Sequence, residues 1–127
     1  MERFFLIAAG INGLLAVGLG AFGAHGLKAR LANAADGAQR LGWWETASHY
    51  HLTHALALGL SAYLAQRTST SAATVSGYAF LAGILLFSGS LYAMTLTNAR
   101  VLGPITPLGG LCLLVGWAAI IAAATKL

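Results

Sequence analysis

From Phe4 to Ala24 the chain carries no charged residue. A helix over that stretch is about 30 Å long at about 1.5 Å per residue, which is the hydrocarbon thickness of a bilayer. Its apolar part exceeds the core of a secretory signal peptide, so it reads as a span that stays in the protein. The pattern recurs three times, and spans are expected at 4–25, 45–65, 72–96 and 107–125. Composition agrees. Apolar residues make up 58% of the 127 positions and charged residues only 8%, against about 25% charged in a soluble domain. So few charges cannot coat a water-facing surface. The expected fold class is an all-α integral membrane protein: an antiparallel four-transmembrane-helix bundle, one domain over 1–127, with no internal repeat.

The segments between spans are short. Gly26 to Trp44 holds Lys28, Arg30, Asp36 and Arg40, with Leu27, Leu31, Ala34 and Ala35 near helical spacing. This reads as a short amphipathic interfacial helix between the first and second spans. Trp43 and Trp44 then mark the headgroup level. Arg67 to Ser71 is a polar turn. Gly103-Pro-Ile-Thr-Pro107 is a rigid connector, with Thr106 placed to cap the fourth helix and Pro107 to sit in its first turn. The net charge of +4 comes from bases scattered near the span ends. That distribution anchors a protein to lipid headgroups and argues against nucleic acid as a partner. Four bases on the side of the first and third loops face three on the side of the termini, too even a split for the positive-inside rule to orient the chain. Cys112 is the single cysteine, so no internal disulfide forms.

Helices in lipid associate through small residues and polar contacts, because lipid tails are as apolar as leucine. Ala9, Gly13, Ala16, Gly20 and Gly23 form such a stripe on the first span. Gly109, Cys112, Gly116, Ala119 and Ala123 form one on the fourth, and Ala82, Gly89 and Ala93 on the third. Gly13, Ala16, Gly20, Gly109 and Gly116 are the expected packing contacts.

Polar groups inside a membrane are costly and raise a functional question. Asn12, in the middle of the first span, is expected to hydrogen-bond across the helices. On the second span Thr46, Ala47, Tyr50, His54, Ala57 and Ser61 share one face at about 100° per residue. His51 falls at its edge and His49 nearly opposite. Tyr50 and His54 should then face the interior. Ser88, Tyr92 and Thr95 share a face of the third span. One end therefore collects a candidate polar binding site of His25, Thr46, Tyr50, His54, Ser88, Ser90, Tyr92 and Thr106, and the other end is expected to be plain. Three uses of the histidines are open: structural ties, a haem or metal site, or handling of a proton or of a polar lipid or quinone head. No spacing among them is diagnostic of a metal. No carboxylate lies inside a span, which excludes a paired-carboxylate mechanism. No Ser-His-acid order or phosphate loop points to hydrolysis or group transfer.

Gly23-Ala-His-Gly26, Glu45-Thr-Ala with Tyr50 and His54-Ala-Leu-Ala-Leu58, Phe87-Ser-Gly-Ser-Leu-Tyr92, Gly103-Pro-Ile-Thr-Pro-Leu-Gly-Gly110 and Gly116-Trp117 together resemble the family called domain of unknown function 423, whose animal members are called transmembrane protein 256. The likeness covers nearly the whole chain. It implies a small four-helix membrane protein, in the inner membrane of bacteria, and no particular activity. The family's motif residues fall on the polar end, with Pro104 and Pro107 added, and leave out His49 and His51. The leading expectation is a non-enzymatic assembly or lipid- and partner-binding protein without a metal or cofactor, forming a homo-oligomer or joining a larger membrane complex. A proton-linked carrier using His54 and Tyr50 is the alternative, and a haem- or quinone-associated redox subunit a weaker one.

Overall fold

A computed structural model describes all 127 residues, and every regular element in it is helical. Helix α1 covers Glu2–Leu31 and contains a π-helical turn at Gly23–Leu27. Helix α2, Gly37–Thr68, is the longest unbroken one. Helix α3, Ser71–Thr97, has a second π turn at Ile84–Ser88. A 3-10 turn, Arg100–Leu102, leads to α4, Ile105–Ala124. Two residues in left-handed conformation end helices: Ser69 (φ 49°) after α2 and Asn98 (φ 55°) after α3. Asn98 donates its N–H to the Met94 carbonyl at 2.8 Å, the bond that closes a helix C-terminus in this geometry. Thr70 then caps α3 by accepting from the Ala73 N–H.

Helices α2 and α3 form the inner pair. Helix α1 backs onto α2, and α4 backs onto α3. The main core joins Phe5 of α1, Ala57, Leu58 and Ala62 of α2, Phe80 and Ile84 of α3 and Leu113 of α4. Rings seat against glycines: Phe5 on Gly77, Trp44 on Gly23 and Phe80 on Gly116, while Gly109 lies directly on the backbone of Leu86 and Phe87. The outer faces of α1 and α4 are apolar and bare, with Leu14 74% and Ile121 69% exposed. Water would penalise such faces and lipid would not. Helices α1, α3 and α4 are long and apolar enough to cross a membrane. The start of α2 meets the ends of α1 and α3, through Trp44 on Leu19 and Arg40 on Thr95. The end of α2 meets the start of α3 and the end of α4, through Leu64, Ala73 and Ala123.

Several expectations change. No separate helix occupies Gly26 to Trp44. Residues up to Leu31 extend α1, and residues from Gly37 begin α2. Only a tight turn separates them, and a side chain at Gly37 would overlap the Leu31 carbonyl. Leu27 and Leu31, read as the apolar face of that helix, pack on Trp44 instead. Trp44 is 2% exposed, so Trp43 alone is left near a surface. On α1, Ala16 is buried and Gly20 lies near the Ser48 hydroxyl, but Gly13 meets nothing. On α3 the contacting small residues are Gly77 and Gly83 rather than Ala82, Gly89 and Ala93. A π turn inserts an extra residue into the helical repeat, so a stripe drawn at constant period drifts off the contact. Finally, α4 begins at Ile105 with Pro104 as its N-cap, and Thr106 caps nothing.

Candidate functional site

Two polar constructions lie in the middle of the molecule, both centred on α2. The first is closed. His51 is 4% exposed. Its Nε2 lies 3.0 Å from Asn12 Oδ1 on α1, and its Nδ1 lies 3.0 Å from the Tyr92 hydroxyl on α3. Asn12 spends its own amide N–H on the Ala8 carbonyl at 2.8 Å, which turns its oxygen toward the ring. The partners therefore assign the tautomer: Nε2 carries the hydrogen, and Nδ1 accepts from Tyr92. The Ser48 hydroxyl stands 3.5 Å from the same tyrosine oxygen. One imidazole thus ties three helices together. Asn12 does bond across the helices, as its place in the sequence suggested.

The second construction is open. His54, also 4% exposed, donates from Nδ1 to the Tyr50 carbonyl at 2.6 Å. Its Nε2 accepts from the Trp117 indole N–H of α4 at 3.1 Å. Both ring nitrogens are engaged in the neutral form. Beside this pair a groove of about 570 Å³ runs between α2 and α4, floored by Phe87 of α3. Its walls are His49, Tyr50, Thr53 and His54 on one side and Gly110, Leu111, Leu114 and Trp117 on the other. Tyr50 packs on Phe87 with the rings tilted by 36° and centroids 4.4 Å apart, and lies nearly parallel to the His54 ring. It is 40% exposed and turned into the groove, not toward the interior as the helical wheel suggested. A wheel assumes one buried face. Helix α2 is covered by α1 on one flank and by α3 on another, so its buried arc is wide enough to take in His51.

The remaining expected site residues are dispersed. Ser88 is buried and donates to the Ala47 carbonyl at 2.8 Å. Ser90 and Thr106 share a 2.6 Å bond that fastens the end of α3 to the start of α4. His25 and Thr46 are exposed and join neither construction. The opposite end is not plain: Ser76 donates to Ser61 at 2.8 Å between α3 and α2, with both side chains fully buried. Every buried side-chain nitrogen and oxygen has a partner. Nowhere do three His, Cys, Asp or Glu side chains gather as a metal shell.

Sequence reasoning missed Trp117 as the partner of His54 and Arg40 as a structural group. Arg40 donates to the Thr95 carbonyl from Nε at 2.9 Å and from a terminal nitrogen at 2.6 Å, and the Thr95 hydroxyl returns a bond to the Arg40 carbonyl at 3.1 Å. Asp36 stands between Arg40, at 3.8 Å, and Arg100, at 3.6 Å. Arg100 also donates to Gln39 and lies over the Trp43 ring at 5.2 Å. The available signal was Asp36, the only acid between the first two spans, set four residues before Arg40.

Residues 19–110 match the family described as Protein of unknown function (DUF423). That segment includes His51, His54, Tyr50 and Tyr92 but neither Asn12 nor Trp117. The chain is 46% identical over 125 residues to the UPF0382 membrane protein YwdK of Bacillus subtilis, covering 98% of each. It is 40% identical to the UPF0382 membrane protein SAB0533 of Staphylococcus aureus, over 98% of this chain and 97% of that one. It is 41% identical to the UPF0382 inner membrane protein YgdD of Escherichia coli K12, over 99% of this chain and 92% of that one. No solved structure matches. Three helices able to cross a bilayer and full-length likeness to membrane proteins make this an integral membrane protein, and it belongs to the DUF423 family.

Proposed function

We propose that the chain is a four-span antiparallel bundle of the bacterial inner membrane that binds a membrane-borne amphipathic molecule in the groove between α2 and α4 and does no chemistry on it. Helix α2 is the least apolar of the four, yet two features support its crossing. It is about 48 Å long, enough to traverse hydrocarbon and part of both interfaces. Two of its three histidines, His51 and His54, are buried against partners on α1, α3 and α4, and only His49 is left exposed. The inner-membrane placement rests on likeness to the inner membrane protein of Escherichia coli.

The observation that carries the binding reading is the state of Tyr50. Its ring is held against Phe87 and His54 and lines a groove bordered by the exposed Leu111 and Leu114, and its hydroxyl has none of the protein hydrogen bonds that fix Tyr92. An apolar cleft with a few convergent polar groups is what small-molecule sites look like. The carrier reading has less support. His54 has no free nitrogen for a relay, and Phe5, Leu58 and Phe80 fill the core with no exposed surface. The bare faces of α1 and α4 suit lipid or further membrane helices, which keeps self-assembly or a larger complex within this reading.

Gly110 provides the test. A Cβ there would make only ordinary contact with Phe87, at 3.8 Å, so a side chain can start at this position, and Gly110→Leu is chosen to occupy the groove. The full chain carrying a benzophenone amino acid at Leu111 is irradiated in inner-membrane vesicles, and adducts are read by mass spectrometry. We expect a lipid-soluble adduct on the parent that Gly110→Leu loses. Equal labelling of both would refute the groove as a site.

A further inference from the structure

We infer that the groove selects an uncharged, planar, oxygen-bearing ring on an apolar tail, the chemistry of a quinone head, over a phospholipid headgroup. This deepens the proposal above and rests on the groove being a binding site. Charge decides first. No Lys, Arg, Asp or Glu lines the groove. A phosphate brought there would exchange water for an apolar surround with no counter-charge, at large cost. The titratable groups that face the space are His49, Tyr50 and His54 from α2; α3 and α4 contribute none, giving only Phe87, Pro107, Gly110, Leu111, Leu113, Leu114 and Trp117. His54 is satisfied as a neutral ring at both nitrogens.

Shape decides next. Tyr50, Phe87 and Trp117 line one space with the buried His54 behind them: Tyr50 to Phe87 at 4.4 Å, Tyr50 to His54 at 5.8 Å, and His54 to Trp117 at 5.9 Å between centroids. A flat ring packs on such walls by offset or edge-on stacking, which a branched glycerol head cannot do. Hydrogen bonding then sets orientation. The Tyr50 hydroxyl can donate to a ring carbonyl. The exposed His49 lies next to it, with ring centroids 6.0 Å apart. Leu111 and Leu114, 59% and 66% exposed, give a tail a path from the groove to the lipid-facing side of α4. The volume of about 570 Å³ falls within the usual range for a ring with part of its chain.

The test uses the full chain in phosphatidylcholine nanodiscs, with decylubiquinone as the neutral planar probe and phosphatidylglycerol as the anionic lipid probe. Binding of decylubiquinone is measured against empty nanodiscs, and Tyr50→Phe and Gly110→Leu are compared after their unfolding temperatures are checked. We expect saturable decylubiquinone binding that Gly110→Leu abolishes. Tyr50→Phe, which keeps the ring and removes one hydrogen bond, should weaken it about three- to tenfold. We also expect phosphatidylglycerol not to displace the quinone. Should the Leu111 cross-linker capture phosphatidylglycerol in the parent but not in Gly110→Leu, while decylubiquinone shows no saturable binding, the ligand class is wrong and the groove stands. Should neither probe distinguish the parent from Gly110→Leu, both the class and the site fail. Decylubiquinone binding that Tyr50→Phe leaves unchanged would overturn the assigned contact even if Gly110→Leu does not fold.

Discussion

The His51 network can be weighed with a double-mutant cycle between Asn12 and His51. The two side chains meet on different helices, with Asn12 Oδ1 3.0 Å from His51 Nε2, and the ring is 4% exposed. Asn12→Leu leaves the imidazole N–H buried without an acceptor. His51→Leu leaves the Asn12 oxygen and one Tyr92 bond unmet, although Tyr92 can still turn to Ser48, 3.5 Å away. An unmet buried polar group costs about 1–3 kcal/mol, whereas replacing both partners by apolar groups is nearly neutral. Inside membranes the measured worth of such bonds is smaller, about 0.6 kcal/mol on average and up to about 1.7. Each single variant should therefore lose about 1–2 kcal/mol. The double variant should be about 1 kcal/mol more stable than the sum of the singles implies. The assay is reversible unfolding of the four proteins from mild detergent into sodium dodecyl sulfate, followed by circular dichroism and tryptophan fluorescence. Additivity within about 0.3 kcal/mol would refute the reasoning, because uncoupled residues add to that precision.

Gly109 lies on the backbone of α3, so Gly109→Ala must push α4 away and should cost about 1–3 kcal/mol. Gly13→Ala, in open space on α1, should be neutral or slightly stabilising in the same sodium dodecyl sulfate unfolding assay. Arg40→Lys loses the two-nitrogen grip on the Thr95 carbonyl and should destabilise by about 1–2 kcal/mol. Arg100→Ala should cost under about 1 kcal/mol, and less at high salt, since its side chain is 54% exposed; denaturant midpoints at low and high salt would check both. His54→Leu leaves the Trp117 N–H unpaired and should shift its fluorescence with a loss of about 1 kcal/mol. His54→Gln, which can still accept from that N–H, should recover most of both.

The membrane class was legible because four long stretches lack charge, a property that depends on residue type and not on geometry. The contents of the groove were only half legible. Tyr50 and His54 could be named from their positions in an expected span, but their surroundings depend on which neighbour covers which side of α2. His54 finds Trp117 across 63 positions of sequence, and nothing local announces that meeting. The small-residue stripes do not translate directly into contacts: on α4, Gly109 and Gly116 lie against α3, while Gly13, on the regular part of α1, lies in open space. On α3 the close approaches are at Gly77 and Gly83, and the π turn at Ile84–Ser88 changes the phase for Gly89 and Ala93 beyond it. The expected interfacial helix failed for a different reason. Its apolar residues were real, but Leu27 and Leu31 cover Trp44 within the protein, and periodicity alone does not say whether an apolar face meets lipid or a tryptophan.

His51 and His54 are three residues apart, so their directions differ by only about 60° around α2. That small angle divides two roles. His51 points to the seam with α1, where Ala16 is buried, Gly20 nears Ser48 and Trp44 bonds Leu19, so the imidazole is enclosed and works as a tie. His54 points to the seam with α4, which packs its glycines against α3 and leaves α2 at arm's length. A close-packed α2–α4 seam would have buried Tyr50. The open one exposes it beside a histidine that is already fully bonded. The groove therefore follows from where the glycines of α4 are placed: Gly109 and Gly116 draw that helix onto α3, and the space left over α2 is lined with aromatic rings.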